Sequence, residues 1–283
     1  MPFPKAIDYH KRGKPLVPNC YGVFYALISV CYWYVLSFLG VLAEDALALA
    51  TSVLFGSTMG LIDDMINLRW RYKAFLPIFT ALPYMVLRPS DRTTIALLLV
   101  GVVDLGGLFF LLLVPILVTI VTNAYNQLGG LNGLESLPGL IIVAGLSLAS
   151  NDVALTIVPM LCLVGLGYLS YTGRAFIGNV GTFSIGLTLA VYSILRNLKL
   201  FLLIALAPHV FNSAVILVSN YLLHDRADTL MDESGHLYAE KARSLRTLIL
   251  SRKPMTERQA VLTITLITAA CTVFAFAVIM VIH

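Results

Sequence analysis

The sequence predicts an all-α protein that crosses a membrane several times. Of its 283 residues, 59% are hydrophobic and only 12% are charged, whereas soluble domains carry about 25% charged residues. The apolar residues also form several long runs, which are typical of membrane-spanning helices. The first 15 residues contain no apolar core, which argues against a cleavable signal peptide. We therefore expect a single integral membrane domain over residues 1–283, embedded in a lipid bilayer.

The apolar runs divide the chain into about nine predicted transmembrane helices. Several runs are shorter than the roughly 20 residues that a straight span needs, so their ends should extend into polar segments. The run 93–103 is too short for a helical crossing, and its β-branched residues favour an outer hairpin or a partly inserted segment. The predicted spans are 20–42, 46–62, 74–87, 106–122, 134–149, 153–170, 182–196, 199–219 and 259–282.

The basic residues predict how these spans are oriented. With the N-terminus inside and the spans alternating, 15 of the 19 Lys and Arg residues fall in inner segments, a bias that marks the cytoplasmic side. We expect the N-terminus and any active site to be cytoplasmic, with the protein in the plasma membrane if the source is prokaryotic. The inner segments are 1–19, 63–73, 123–133, 171–181 and 220–258.

The first of three polar segments, residues 63–73, reads DDMINLRWRYK. Two adjacent carboxylates at the end of an apolar span are costly unless they bind a cation or handle protons. If the helix continues, Asp63 and Asn67 share a face because they are four residues apart. The carboxylates suit a hard metal ion, and Lys73 suits phosphate oxygens. A solvated charged loop is the alternative interpretation, and it fits Arg69 and Arg71 as well as a functional one does.

The second and third polar segments predict further oxygen donors on the same side. In residues 123–135, NAYNQLGGLNGLE, Asn123 and Asn126 end a helix on one face, and the glycines after them let the backbone approach a ligand closely. In residues 174–182, RAFIGNVGT, Asn179 offers a neutral oxygen to a metal and Phe176 offers a face to a flat ring. Helix caps and tight turns would also explain the glycines. The chain contains no Walker-type loop, HExxH motif or CxxC pair.

These segments resemble the motifs of the polyprenyl-phosphate N-acetylhexosamine-1-phosphate transferases, and most closely those of the eukaryotic and archaeal dolichyl-phosphate GlcNAc-phosphotransferase branch. Residues 63–73 are similar to the branch motif DDxxNLRWRxK, residues 122–135 to TNAxN…NGLE, and residues 176–181 to F(V/I)GD. The opening stretch 11–18, KRGKPLVP, resembles the first cytoplasmic loop of the family. Order and spacing agree over about residues 8–260.

The resemblance implies an enzyme that moves a sugar 1-phosphate from a UDP-sugar to polyprenyl or dolichyl phosphate and releases UMP. It implies Mg²⁺, with Mn²⁺ as a substitute, and no nucleic acid partner; a homodimer is left open. Asp63 would deprotonate or position the lipid phosphate, Asp64 would be a metal or lysine partner, and Lys73 would hold phosphate. The metal ligands would be Asn126 and Asn179, and the substrate-binding residues would be Asn67, Asn123, Gly130, Asn132, Glu135, Phe176 and Arg226, with Gly130, Asn132 and Phe176 at the uracil.

Two departures from the family pattern are visible in the sequence. Asn179 stands where family members usually have a metal-binding Asp, which puts the strength of metal binding in question. The branch also has an Arg-His-Arg cluster in its last cytoplasmic loop, where this chain has His224-Asp225-Arg226, so only Arg226 carries over. The histidine-rich motif of the bacterial cell-wall branch is absent, which argues against a muramyl-peptide substrate.

A protein of a different class is the alternative. It would bind polyprenyl phosphate without catalysis, or it would be a transporter. Carboxylates within helices at the middle of the membrane would indicate transport. Here the carboxylates lie at a predicted interface, which favours an interfacial enzyme.

Overall fold

The computed structural model describes residues 3–87, 92–97, 101–225 and 227–282. Most of these residues are helical, as predicted. A π-helical turn, Phe109–Leu113, runs directly into α6. The helices are α1 Gly22–Phe38, α2 Ala43–Ile66, α3 Trp70–Phe75, α4 Pro77–Thr80, α5 Leu82–Leu87, α6 Val114–Leu128, α7 Leu137–Ser150, α8 Ile157–Tyr171, α9 Gly178–Leu195, α10 Lys199–Ala205, α11 Ala207–Tyr221, α12 Leu245–Arg252 and α13 Glu257–Ile282.

The described part of the chain also contains three short antiparallel hairpins. The first pairs β1 Lys5–Ile7 with β2 Leu16–Pro18 ahead of α1. The second pairs β3 Thr94–Leu97 with β4 Gly101–Asp104, as expected from the hairpin alternative for residues 93–103. The third pairs β5 Leu230–Met231 with β6 Leu237–Tyr238 in the last long loop.

Within the described residues, four stretches are long and apolar enough to cross a membrane: α2, the π-helical turn with α6, α9 and α13. The pair α10 and α11, which bends by 65°, is a fifth candidate if it forms one span, and α1, α7 and α8 are apolar but shorter. The protein is therefore an integral membrane protein with four to five clear candidate spans. The predicted span 74–87 is instead broken into α3, α4 and α5, because Pro77 and Pro83 cannot donate backbone hydrogen bonds within a continuous helix.

Helix α9 lies at the centre of the bundle. Every residue from Val180 to Leu195 is buried, and α1, α2 and α6 pack around this helix. Two glycines allow close approach at its start. A Cβ on Gly60 would lie 2.6 Å from the carbonyl oxygen of Asn179, and one on Gly22 would lie 2.1 Å from Cα of Gly181. The last turn of α2, which carries the adjacent carboxylates, is thereby held against the N-terminus of α9.

The opposite end of α9 is fixed by an ion-pair triad. Nη1 of Arg196 lies 2.6 Å from Oδ2 of Asp45 at the start of α2, and Nη2 lies 2.6 Å from Oδ2 of Asp152 in the α7–α8 loop. Nearby, Nε1 of Trp33 in α1 donates to the carbonyl of Leu155 at 2.8 Å. The end of α9, the start of α2, the α7–α8 loop and α1 are thus joined at the end of the bundle that is remote from the three polar segments.

A second apolar cluster covers the end where the polar segments lie. Leu131 and Leu134 of the α6–α7 loop pack with Leu237 and with Leu245 of α12 against the first turns of α13. Helix α12 begins with a reciprocal pair of side-chain bonds between Ser244 and Thr247, a capping box. The long loop 222–256 is therefore folded onto the polar end of the bundle.

Candidate active site

The three polar segments meet at one end of the bundle, around a cavity of about 440 Å³. This volume lies within the range of ordinary ligand sites. The cavity is also lined by the β1–β2 hairpin and by the start of α13, two elements that the sequence analysis did not connect to the site. The predicted site residues that line it are Asp64, Asn126, Gly130, Asn132, Glu135, Phe176 and Asn179.

Asp64 binds the N-terminus of α9. Its Oδ1 accepts from the backbone N–H of Asn179 at 2.9 Å, and its Oδ2 accepts from that of Val180 at 2.9 Å. The first N–H groups of a helix lack partners within the helix, and a carboxylate there also interacts favourably with the helix dipole. A residue of the first polar segment therefore holds the backbone of the third.

Asp63 instead contacts Lys73. Nζ of Lys73 lies 2.9 Å from Oδ1 of Asp63, which also accepts from the backbone N–H of Leu68 at 2.9 Å. Asp63 is only 2% exposed, and its Oδ2 has no hydrogen-bond partner among the described residues. Asn67 is not on the same helical face, because α2 ends at Ile66 and Asn67 has a φ of 47°. Lys73 nevertheless reaches Oδ1 of Asn67 at 3.4 Å.

Lys73 lines a second cavity of about 340 Å³ between α3, α6 and α11. Its lining combines the amides of Asn123 and Asn126 with residues of α11, among them Ile216 and Leu217. Asn123 also donates from Nδ2 to the carbonyl of Ala74 at 3.1 Å and so attaches α6 to α3. Asn126 lines both cavities.

The predicted metal ligands Asn126 and Asn179 are both near Thr182. The hydroxyl of Thr182 donates to Oδ1 of Asn126 at 2.6 Å and lies 3.2 Å from the carbonyl of Asn179. The side-chain amide of Asn179 has no hydrogen bond within the described part of the chain, and this residue lines the larger cavity. The two amides and the carboxylate of Asp64 thus line the same cavity.

The α6–α7 loop is shaped by Glu135 and by backbone contacts. Gly130 has a φ of 101°, a conformation suited to glycine, and its N–H donates to Oε1 of Glu135 at 2.9 Å. Burial raises the pKa of Glu135, although the N–H of Gly130 works in the opposite direction. The Tyr125 hydroxyl donates to the carbonyl of Glu135 from inside the bundle.

Asn132 and Phe176 line the cavity but are held in different ways. The Asn132 side chain, 4% exposed, donates to carboxylates of Asp8 and Glu257. Phe176 is half-buried and is fixed through its backbone: its N–H donates to the carbonyl of Pro18 at 2.8 Å, and its carbonyl accepts from Tyr21 at 3.0 Å. Those two contacts attach the third polar segment to the N-terminal hairpin.

Sequence reasoning missed a group of ionisable residues that the fold brings to this cavity. Asp8, His10 and Glu257 line it, and the guanidinium of Arg246 lies 3.5 Å from the carbonyl of Gly129. Burial, then the charge of Arg246, lowers the pKa of His10 to about 4, with Asp8 acting in the opposite direction. Burial also lowers the pKa of Arg246. The capping-box pattern at residues 244–247 could have indicated the helix that carries Arg246, but no local pattern connects Asp8 with Glu257.

The predicted residue Arg226 lies outside the described residues. Its neighbour Asp225 pairs with Lys241 at 2.8 Å and with Arg243 at 3.2 Å. These contacts lower the pKa of Asp225 and connect the two ends of the loop that contains β5 and β6.

Comparison with known proteins identifies the family. A sequence profile of glycosyl transferase family 4 matches residues 46–197, more than half of the chain. The chain belongs to glycosyl transferase family 4. The matched region includes all three polar segments, so the resemblance seen in the motifs is confirmed.

Individual relatives of this family 4 chain come from archaea and eukaryotes. A putative UDP-N-acetylglucosamine–dolichyl-phosphate N-acetylglucosaminephosphotransferase of Saccharolobus solfataricus is 28% identical over 90% of this chain and 82% of its own length. A UDP-N-acetylglucosamine–dolichyl-phosphate N-acetylglucosaminephosphotransferase of Dictyostelium discoideum is 26% identical over 96% of this chain and 80% of its own length. A putative enzyme of the same name from Sulfolobus acidocaldarius is 35% identical over 49% of this chain and 44% of its own length.

Proposed function

We propose that this chain transfers N-acetylglucosamine 1-phosphate from UDP-N-acetylglucosamine to dolichyl or another polyprenyl phosphate and releases UMP. The names of its relatives support both substrates. The observation that carries the proposal is the meeting of all three polar segments at one end of a membrane bundle, around two cavities that share Asn126.

The two cavities suit two different substrates. The larger of the two is lined by amides, by acidic side chains such as Asp64 and Glu135, and by Phe176. The amides and the aromatic side chain suit the base of a nucleotide sugar, and the acidic side chains suit the divalent cation that accompanies its diphosphate. The smaller one combines the cation Lys73 with apolar residues of α11, which fits a phosphate at the head of a lipid chain. The reacting phosphates would then meet near Asn126.

The residues present fit a hard divalent cation. Asp64 and the amides of Asn126 and Asn179 line one cavity. The buried Oδ2 of Asp63, the residue next to Asp64, lacks a partner among the described residues. Mg²⁺ prefers such oxygen ligands. Asn126, Asn179 and one of the two carboxylates would hold it, and it would neutralise charge on the diphosphate.

The chain's own residues supply the remaining steps. An oxygen of the lipid phosphate forms a bond to the β-phosphorus, and the bond from that phosphorus to the bridging oxygen breaks, so that UMP leaves with the electron pair. A phosphate monoester has its second pKa near 6, so most acceptor is already ionised at neutral pH. Asp63 would take the remaining proton and, together with Lys73, orient the phosphate.

We also propose a finer topology. Eight apolar segments would each cross the membrane once: α1, α2, the π-helical turn with α6, α7, α8, α9, the bent pair α10 and α11, and α13. The broken segment α3–α5 would make the ninth crossing. The N-terminus and the cavity would face the cytoplasm, where nucleotide sugars are made, as the distribution of basic residues favours.

The test is a direct assay. Purified protein is incubated with polyprenyl phosphate, Mg²⁺ and radiolabelled UDP-sugars, and the lipid products are separated. We expect one labelled lipid diphosphate sugar with UDP-N-acetylglucosamine, equimolar UMP, and no product from Asp63→Asn. Tight binding of polyprenyl phosphate without product from any UDP-sugar would instead support the non-catalytic alternative.

A further inference from the structure

A histidine and two carboxylates from distant parts of the chain meet at the larger cavity. Asp8 and His10 lie between β1 and β2, and Glu257 begins α13. A ring nitrogen of His10 and one oxygen from each carboxylate all lie within 4.8 Å of one another. All three residues line the cavity, so a small solute in the cavity can reach them.

The imidazole of His10 is the unused member of this cluster. Its backbone N–H donates to Oδ1 of Asp8 at 3.2 Å, but neither ring nitrogen makes a hydrogen bond within the described residues. Polar groups that are partly removed from water usually have a partner, and this ring is half-buried. The imidazole therefore has a nitrogen available for a ligand.

The two carboxylates are short of positive charge. Nδ2 of Asn132 donates to Oδ2 of Asp8 at 2.8 Å and to Oε2 of Glu257 at 3.1 Å, so one amide serves both groups. Among the described residues, Lys11 is the one cation within 4.0 Å of either carboxylate, with Nζ at 3.3 Å from Oδ2 of Asp8. Two ionised carboxylates beside one lysine repel each other. A bound cation would remove that repulsion.

The amide of Asn132 could supply a fourth ligand. Its side chain is 4% exposed, and its Oδ1 has no hydrogen-bond partner among the described residues. A half-turn of the amide would exchange Oδ1 and Nδ2, and one of the two atoms would lack a partner in either orientation. With a cation between the carboxylates, the oxygen becomes the favoured atom on that side because it can bind the ion.

We propose that Asp8, His10 and Glu257, with the amide oxygen of Asn132, bind a zinc-like divalent cation at a site separate from that of the catalytic Mg²⁺. An imidazole with carboxylates suits Zn²⁺ or Co²⁺, whereas Mg²⁺ prefers oxygen ligands alone. Two ligand atoms at about 2.1 Å from one tetrahedral ion are about 3.4 Å apart, so small side-chain rotations would complete the site. The ion would join the β1–β2 hairpin, the α6–α7 loop and α13.

Zinc and cobalt titrations test the proposal directly. Purified full-length protein in detergent is treated with a chelator and then titrated with Zn²⁺ by calorimetry and with Co²⁺ by visible absorption. Both titrations contain excess Mg²⁺, which occupies the catalytic site. We expect one equivalent of each ion, the absorption bands of four-coordinate Co²⁺, and a higher melting temperature with Zn²⁺, because an ion that binds only the folded state stabilises it.

A pair of histidine variants locates the ion. His10→Ala should weaken Zn²⁺ binding at least about tenfold, since the loss of even an outer-shell partner of a metal ligand costs about 10–100-fold in affinity. His236→Ala is the matched control, because His236 is a more exposed histidine beside a single carboxylate, that of Asp232. It should bind Zn²⁺ as the parent does. Equal Zn²⁺ affinity in the parent and in His10→Ala would overturn the proposal.

Lys11→Met separates a metal site from a simple ion-pair network. If the carboxylates bind a cation, Lys11 competes with it, and its removal should tighten Zn²⁺ binding about fivefold, the equivalent of one partly exposed ion pair. If the cluster serves only to pair Lys11 with Asp8, the variant should melt at a lower temperature and gain no affinity for Zn²⁺, which would reject the metal site.

The metal site and the proposed function can fail separately, because the cluster contains none of the residues assigned to Mg²⁺ or to phosphate transfer. The absence of saturable Zn²⁺ binding by the parent would overturn the inference even if every variant fails to fold, and it leaves the transfer assay with Mg²⁺ unaffected. Zn²⁺ binding that depends on His10, without any lipid product in that assay, would support the metal site while the proposed function is rejected.

Discussion

The two adjacent carboxylates should respond differently to the same substitution. Asp64 accepts backbone bonds from Asn179 and Val180 at the start of α9, whereas Asp63 faces Lys73. We expect Asp64→Asn to destabilise the fold and reduce activity, and Asp63→Asn to abolish transfer while leaving the fold nearly as stable.

The magnitudes follow from the contacts. An asparagine at position 64 keeps one acceptor oxygen, but its NH₂ group opposes the second backbone N–H. Losing one hydrogen bond to a charged group costs about 1.5–3 kcal/mol, and losing the negative charge at a helix N-terminus costs about 0.3–1 kcal/mol. Asp64→Asn should therefore cost about 2–4 kcal/mol. At position 63, an asparagine can keep Oδ1 as the acceptor for the backbone N–H of Leu68. Its NH₂ group then replaces Oδ2, an atom that already has no hydrogen-bond partner among the described residues. The remaining loss is the pair with Lys73. Asp63 itself is buried, but the ammonium left behind is 26% exposed and keeps Oδ1 of Asn67 as a partner, so no uncompensated buried charge remains and the loss should stay near about 1 kcal/mol.

The assay combines thermal unfolding in detergent with single-turnover transfer. The melting temperature of Asp64→Asn should decrease by several degrees more than that of Asp63→Asn. The control is Glu44→Gln, a substitution in the first turn of α2 far from the cavity. If both variants melt at the same temperature, or if Asp63→Asn retains near-parent turnover, the division of roles between the carboxylates is refuted.

Three further outcomes follow from the structure. Asn179→Asp should keep activity and lower the Mg²⁺ concentration needed for half-maximal rate, because a negative charge strengthens a hard-cation site; an unchanged Mg²⁺ titration would remove Asn179 from the metal site. Arg196→Gln leaves Asp45 and Asp152 facing each other, each with a mostly buried side chain, and should cost about 2–4 kcal/mol; a melting temperature equal to that of the surface variant Arg252→Gln would contradict this. The lowered pKa of His10, about 4 in the folded protein, means that the unfolded chain binds more protons, so stability falls as pH decreases from about 6.5 to 4. In His10→Asn the melting temperature should fall less over that window, and an identical pH profile would count against the buried neutral imidazole.

The sequence predicted the helical membrane fold and the assembly of the three polar segments, because apolar runs and charge clusters are local signals. For residues 93–103, the β-branched residues favoured either a hairpin or a partly inserted segment, and the structure contains paired strands there. Sequence reasoning misjudged the segment 74–87 as one helix, since Pro77 and Pro83 outweigh the continuous apolar composition. It placed Asn67 on a helical face, but the helix ends one residue earlier.

The parts of the site that could not be predicted depend on contacts between distant segments. Asp8 and Glu257 are 249 positions apart, as their residue numbers show, and each lies among unremarkable neighbours. Their meeting at Asn132 depends on how the hairpin and α13 pack at the end of the bundle. The choice of Asp63, rather than Asp64, as the partner of Lys73 likewise depends on the rotation of the last turn of α2.

The packing of α13 connects the cavity to the surrounding lipid. Only 28% of the apolar window of this helix is buried, against 89% for α9, so α13 faces lipid far more than the central helix does. Its 26 residues extend to about 39 Å at 1.5 Å per residue, which exceeds the roughly 30 Å of a bilayer core. A helix longer than the bilayer core accommodates the difference by tilting, and this one begins at Glu257. Membrane thickness should therefore change the position of the carboxylate that holds the cavity loop, while the shielded α9 stays in place.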